Sequence, residues 1–330
     1  MSQDAADRRH SLLVWGALGL VYVVWGSTYL GIGIAVESVP PMLSGVIRFI
    51  TAALLLGGFL LVRKGPKAFS MTRRQFGGAA LVGLLLLTGG NGMVAVAEQY
   101  ISTGLAALLV ASVPLWLVVL RLLVRDRPKV LTLAGVLVGF AGVAMLSLNG
   151  GGTAGHTTGI VTILAGSVSW ALGSFLSSRI PMPSDPFVAS TVEMVVGGAG
   201  LAVIGTMVGE RLDLAEITTR SWGALIYLVL VGSLIGFTSY AWLLNNAPIS
   251  LVSTYAYVNP AVAVLLGALV LSEPVTIQVL VGGLVIVVGV VLVISTERRR
   301  PRPEAAQGVD GRGDVVVGVR GGKEPHPAAE

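Results

Sequence analysis

The chain contains no cysteine in 330 residues, so disulfides, thiolate nucleophiles and Cys-ligated metal or iron–sulfur centres are excluded. Its three histidines, His10, His156 and His326, are expected in a tail or loop, which leaves no buried imidazole base or metal cluster within an apolar run. Charge is scarce as well: Asp, Glu, Lys and Arg make up 12% of the residues, about half the share usual in a soluble domain. No G-x-x-x-x-G-K-S/T phosphate loop occurs, because none of Lys64, Lys67, Lys129 and Lys323 is followed by Ser or Thr. Direct ATP hydrolysis by this chain is therefore excluded, and no cofactor is implied.

What is present is apolar. Hydrophobic residues make up 54% of the chain and the mean hydropathy is +0.84, with the apolar residues gathered in long runs between short loops. A membrane helix needs about 20 such residues. The runs predict ten spans, at 12–36, 41–62, 76–96, 101–124 and 130–149, then 158–179, 187–208, 222–243, 249–271 and 275–295. The first run is too long for a signal-peptide core and reads as a helix. With the N-terminus in the cytoplasm, sixteen Lys and Arg residues fall inside, among them Arg63, Lys64, Arg73, Arg74, Arg121, Arg125, Arg127, Lys129 and Arg298. Only Arg211 and Arg220 fall outside, so the positive-inside rule places both termini in the cytoplasm. The net charge of +5 is then a topology signal and a match to an anionic inner leaflet; nothing points to nucleic acid.

The two halves repeat. Trp25, Pro41 and Arg48 recur 145 residues later as Trp170, Pro186 and Glu193; Pro114 and Pro128 match Pro260 and Pro274; Gly135 and Gly142 match Gly282 and Gly289. Five helices are an odd number, so the second copy is inverted in the membrane, an arrangement of secondary transporters with a midplane site between the copies. The expected architecture is all-α: a cytoplasmic segment 1–11, a first five-helix repeat 12–149, an external linker 150–157, a second repeat 158–296, and a disordered cytoplasmic tail 297–330 rich in Pro, Gly and charge.

The segments 22–49 (YVVWGSTYLGIGIAVESVPPMLSGVIRF), 89–116, 167–180 and 253–276 (STYAYVNPAVAVLLGALVLSEPVT) closely resemble EamA-type members of the drug/metabolite transporter superfamily. The resemblance covers about residues 12–296 and includes the Trp-Gly-Ser of the first helix, the Pro-to-Arg-Phe spacing of the second and the Tyr-x-Asn-Pro stretch of the ninth. It implies a ten-helix inner-membrane exporter of small metabolites or toxic compounds, with a central cavity built by the first four helices of each repeat and with the fifth and tenth helices peripheral. It does not fix the substrate. Many relatives carry Glu after the fourth helix as well as after the ninth, whereas here Arg127 stands opposite Glu273, a change expected to affect topology or gating. The four-helix multidrug branch uses a Glu in its first helix; the first and sixth helices here have none, so that mechanism does not carry over residue by residue.

Well inside the spans, the formally charged residues are Arg48 and Glu193, which are repeat equivalents. Each lies seven residues past its proline, roughly 10 Å into a core of about 30 Å, on opposite sides of the midplane. A charge there is costly unless paired or functional. Two readings stand: the pair holds the repeats together, or Glu193 alternately binds a proton and a substrate or Arg48, making protons the candidate coupling ion. Candidate cavity residues are Trp25, Ser27, Asn91, Trp116, Trp170, Tyr240, Tyr255, Tyr257 and Asn259, whose aromatic rings allow stacking and cation–π contacts. Pro114 and Pro260 are candidate hinges, because proline removes a backbone donor. The expected activity is secondary transport of a small molecule by alternating access, with no catalytic residues. The alternatives are a membrane enzyme using the buried carboxylate and hydroxyls, for which the spans offer one acid but no His, Cys or Asp, or a non-transporting sensor or assembly factor acting through the short tail.

Overall fold

A computed structural model describes residues 3–126, 128–148, 154–247 and 254–297. Among these the chain is helical throughout, with no strand. Ten helices follow in order: α1 (Gln3–Ala35), α2 (Pro41–Lys64), α3 (Arg73–Ala97), α4 (Thr103–Leu123), α5 (Val130–Leu148), α6 (Ala154–Ser177), α7 (Pro186–Met207), α8 (Thr219–Asn246), α9 (Tyr255–Val270) and α10 (Ile277–Glu297). Nine of the described helices are long and apolar enough to cross a membrane, and α9 is a shorter apolar helix. The start of the predicted ninth span, Arg127 and the tail after Glu297 lie outside the described residues. His10 and His156, expected in a tail and a loop, instead fall within helical extensions of α1 and α6.

Local chemistry sets the helix ends. Thr72 accepts from the Gln75 N–H in a capping box at the start of α3, Ser102 caps α4, Asp185 caps α7 ahead of Pro186, and Thr218 caps α8. The helix stops carry the repeat. Among the described residues the positive-φ positions are Gly65 and Gly209, just past α2 and α7, and Arg125 and Ser272, just past α4 and α9. Each pair follows the corresponding helix of the two repeats, so the left-handed exit recurs at the same helix ends.

The two repeats interlock: α1 packs on α9 and α8, α2 on α7, α3 on α6 and α7, and α5 on α10. The α5–α10 crossing shows the symmetry most plainly. A Cβ added at Gly135 would meet the Gly289 carbonyl at 2.9 Å, and one added at Gly142 would meet the Gly282 carbonyl at 2.9 Å, so the repeated glycines exchange partners across the contact. Small residues let helices approach in this way where lipid gives no hydrophobic drive. Apolar side chains such as Val62, Leu137, Leu269 and Leu284 face outward, as a lipid-solvated surface requires.

Candidate functional site

Two helices depart from α geometry at matching places. In α3 the residues Leu84–Asn91 form a π-helical segment, and in α8 so do Leu228–Ile235. These are the third helices of the two repeats, and the segments correspond residue for residue at an offset of 144. A π-segment widens the helix and re-aims its side chains, and such segments concentrate at functional sites.

Between them lies Arg48 of α2, 6% exposed. Its Nε donates to the Ser233 Oγ at 3.1 Å and its Nη1 to the Asn91 Oδ1 at 3.5 Å, so each π-segment supplies one acceptor, one from each repeat. Gly232 leaves room for this group: a Cβ there would lie 3.1 Å from Thr28 Cγ2 and 3.5 Å from Arg48 Nη2. Among the described residues no carboxylate forms an ion pair with Arg48. The free space at the site, lined by Ser44, Gly45, Asn91, Gly92 and Leu228, is about 10 Å³. That holds about one water, so the arrangement is closed around the guanidinium.

An aromatic cluster lies where α1 meets α8 and α9. Trp25 of α1 packs against Tyr240 of α8 with ring centroids 4.9 Å apart and edge-on against Tyr255 of α9 at 5.0 Å, while the two tyrosines meet at 5.8 Å. Asn259, with its amide oriented to satisfy it, donates to the Tyr22 and Tyr255 carbonyls and ties α9 to α1. Ser27 hydrogen-bonds the Tyr227 hydroxyl at 2.5 Å and the Val24 carbonyl at 2.9 Å. Trp170 packs over Gly90 in the α3 π-segment, where a Cβ would lie 2.7 Å from its ring.

Other sequence candidates point elsewhere. Trp116 packs edge-on against Phe140 of α5, and Tyr257 packs against the main apolar core. Glu193 lies against α3 through its backbone, at Gly83, and makes neither a hydrogen bond nor an ion pair with Arg48. The two prolines differ in setting. Pro114 stands in the first turn after a break at Ala111–Ser112 of α4, whereas Pro260 lies inside the continuous α9.

Acidic residues close one end of the bundle; of these, the sequence marks Glu273 only for topology or gating, and Glu210 not at all. The Glu273 carboxylate, between α9 and α10, accepts from the Thr103 N–H at 2.8 Å, the Thr103 hydroxyl at 3.1 Å and the Gly104 N–H at 3.2 Å, clasping the N-terminus of α4. The Glu210 carboxylate, after α7, likewise accepts from the N–H groups of Met42 and Leu43 at 3.1 and 3.0 Å, clasping the N-terminus of α2. Each clasp joins the two repeats and sets negative charge against a helix N-terminus. Ser38 adds hydrogen bonds to Ser221 at 2.8 Å and to the Thr218 N–H at 3.1 Å at the same end. At the opposite end Lys64 pairs with Asp185.

Comparison with known proteins agrees with this geometry. Residues 13–148 and 157–295 each match the EamA-like transporter family. The chain is 43% identical over 260 residues, 78% of its own length and 83% of the relative's, to a protein of Escherichia coli (strain K12) named uncharacterized inner membrane transporter YedA. It is 25% identical over 296 residues, 89% of this chain and 94% of the other, to the uncharacterized transporter YvbV of Bacillus subtilis (strain 168). A solved crystal structure shares the fold with a TM-score of 0.60 at 19% identity, over 88% of this chain and 99% of that one. With both halves matched to one family and ten apolar helices arranged as interlocked repeats, the chain belongs to the EamA-like transporter family and is a membrane transporter.

Proposed function

We propose that the protein is a secondary transporter of the inner membrane that exports a small metabolite by alternating access, with both termini in the cytoplasm. Arg48 is the group that binds substrate. The observation that carries this reading is a buried guanidinium held by one hydrogen bond from each repeat and paired with no carboxylate among the described residues. A buried charge of that kind is costly alone and is stabilised by an opposite charge. An anionic group on the substrate supplies it, and the Trp25, Tyr240 and Tyr255 rings offer an apolar surface for the rest of the molecule.

The positive-inside asymmetry of the sequence supports an orientation with the Glu210 and Glu273 clasps on the external side. In that orientation the arrangement described is closed to the outside, and export requires both clasps to open. The first five helices, about residues 12–149, and the last five, about 158–296, act as the two moving halves.

The test is a thermal-shift screen of the purified full-length chain against small carboxylates, phosphate esters and zwitterionic metabolites, run beside Arg48→Ala. A ligand that binds the native state raises its unfolding temperature in proportion to its occupancy. The expected result is a subset of anionic or amphoteric compounds that stabilises the wild type and not the variant. Hits confined to uncharged or cationic compounds, or shared equally by Arg48→Ala, would remove Arg48 from the substrate site.

A further inference from the structure

Glu98 is the buried acid that the site described so far does not use. It follows α3 directly, one residue past the third span, and its N–H donates to the Val94 carbonyl at 3.0 Å. The residue as a whole is only partly buried, yet both carboxylate oxygens are shut off from solvent and accept no hydrogen bond among the described residues. Space for the side chain comes from Gly33 of α1: a Cβ there would lie 3.5 Å from Glu98 Oε2 and 2.7 Å from Thr103 Cγ2. The carboxylate is therefore enclosed by α1 and the start of α4, immediately beside the Glu273 clasp.

The titratable and charged groups that act on it are Tyr29 from α1, Arg48 from α2 and Glu273 from the α9–α10 connection. Glu273 is a like charge already committed to the α4 N-terminus. Arg48 is the opposite charge, but its described hydrogen bonds go to Ser233 and Asn91 instead. An ionised carboxylate without a donor, out of water and next to another carboxylate, is the disfavoured form of the acid. Burial and, after it, the Glu273 charge push the Glu98 carboxyl well above the usual carboxylate range, with Arg48 pulling the other way.

We propose that Glu98 is a proton-binding site of the transport cycle, occupied while the end bearing the α2 and α4 N-termini is closed and emptied when that end opens to water. Opening the Glu273 clasp wets the carboxyl, which gives its proton to water and becomes a carboxylate. That carboxylate then competes for Arg48 with Asn91, Ser233 and any bound anion, so proton occupancy and the state of the substrate site are linked through one guanidinium. The ligand is a proton rather than a metal ion. A metal needs several oxygen ligands, and among the described residues Glu98 has no hydrogen-bond partner and no cluster of three metal-ligating side chains occurs. This assignment rests on the transport reading but is tested without a substrate.

The experiment is attenuated-total-reflection infrared spectroscopy of the full-length chain in lipid bilayers, titrated with pH, comparing wild type with Glu98→Gln and, as controls, Glu98→Asp and Glu193→Gln. The wild-type-minus-Glu98→Gln difference isolates the protonated-carboxyl C=O stretch of residue 98. A protonated-carboxyl band from Glu98 is expected to persist at pH 7, where an ordinary glutamate is protonated to about 0.2%. Glu98→Asp should retain a shifted band, and Glu193→Gln should leave the residue-98 band in place. A difference spectrum without that band at pH 7, from variants that remain monodisperse, overturns the proposal. In cells, Glu98→Gln should make export independent of external pH, and export that keeps its full pH dependence in this variant also overturns it. Wild-type cells that export nothing contradict the transport reading instead, and the infrared result still decides whether Glu98 holds a proton.

Discussion

Replacing Glu273 by Gln should release the closed end of the bundle. The native carboxylate accepts three hydrogen bonds at 2.8–3.2 Å, two of them from backbone N–H groups at the start of α4. Gln keeps one acceptor oxygen, turns an NH₂ toward the backbone donors and removes the negative charge from the helix N-terminus. Loss of one charge-assisted hydrogen bond is worth about 1.5–3 kcal/mol, and the weakened helix-end interaction about 0.3–1 kcal/mol. If the open state forms none of these contacts, a total of about 2–3 kcal/mol shifts the closed-to-open ratio about 30- to 150-fold. The absence of native cysteine makes this measurable. Ser44, 5% exposed beside Arg48, becomes a single reporter as Ser44→Cys, and its alkylation by a membrane-impermeant maleimide requires opening. Alkylation should accelerate at least tenfold in the Glu273→Gln background, levelling off once the open state dominates. An unchanged rate in a variant that remains folded and monodisperse would show that the Glu273 contacts do not hold this end shut.

Glu210→Gln should act in the same assay and the same direction but less strongly, since its carboxylate accepts two hydrogen bonds rather than three; an effect larger than that of Glu273→Gln would contradict the ranking. Gly142→Val should lower the thermal unfolding midpoint, because its Cβ would meet backbone atoms of α10 at 2.8 and 2.9 Å that no rotamer change can move, an overpacking cost of about 1–3 kcal/mol. Gly16→Val, at a position with nothing within 4 Å, is the matched control, and equal losses at the two sites would refute the close α5–α10 contact. At the opposite end, burial alone would raise the Asp185 carboxyl, but hydrogen bonds from Lys64 and the Phe187 N–H outweigh it and hold it below the ordinary 3.8. Its contribution is therefore full above that pH and disappears as pH falls through the lowered value. With Lys64 about half exposed the pair is worth at most about 1 kcal/mol, so the stability difference between wild type and Asp185→Asn should stay small and constant from pH 7 to about 4 and shrink below it. A difference that grows on acidification reverses the sign of the argument.

The ten helices and their inverted repeat were legible because they rest on quantities a sequence carries directly: run length, proline position and paired glycines. Pro41 and Pro186 do start equivalent helices, and Gly135, Gly142, Gly282 and Gly289 do meet in one crossing. The π-segments were not legible, since LLLLTGGN and LVLVGSLI contain nothing that separates a π-turn from an α-turn. Their consequence, Ser233 as an acceptor for Arg48, was hidden with them. Arg48 and Glu193 each stand seven residues past the proline that starts their helix, but position along a helix does not fix which way a side chain turns. Arg48 turns to α3 and α8, while Glu193 lies beside Gly83. Glu98 escaped notice because hydropathy ends the third span at residue 96 and leaves Glu98 in the short connection to the fourth. The Glu98 side chain then turns in beside Gly33 of α1 and Thr103 of α4 while Gln99 and Tyr100 stay exposed, so its carboxylate oxygens are closed off from solvent.

The most direct test of the central claim is mass spectrometry of medium and cell contents from cells overproducing the wild type, set against Arg48→Ala and Arg48→Lys at matched membrane levels. The account predicts a compound with an anionic group that is enriched outside and depleted inside with the wild type, lost with Arg48→Ala and only partly restored by Arg48→Lys, whose point charge lacks the guanidinium fork that reaches Asn91 and Ser233 together. A compound exported equally by all three proteins would contradict it, because a transporter indifferent to Arg48 does not bind its substrate where the two repeats meet.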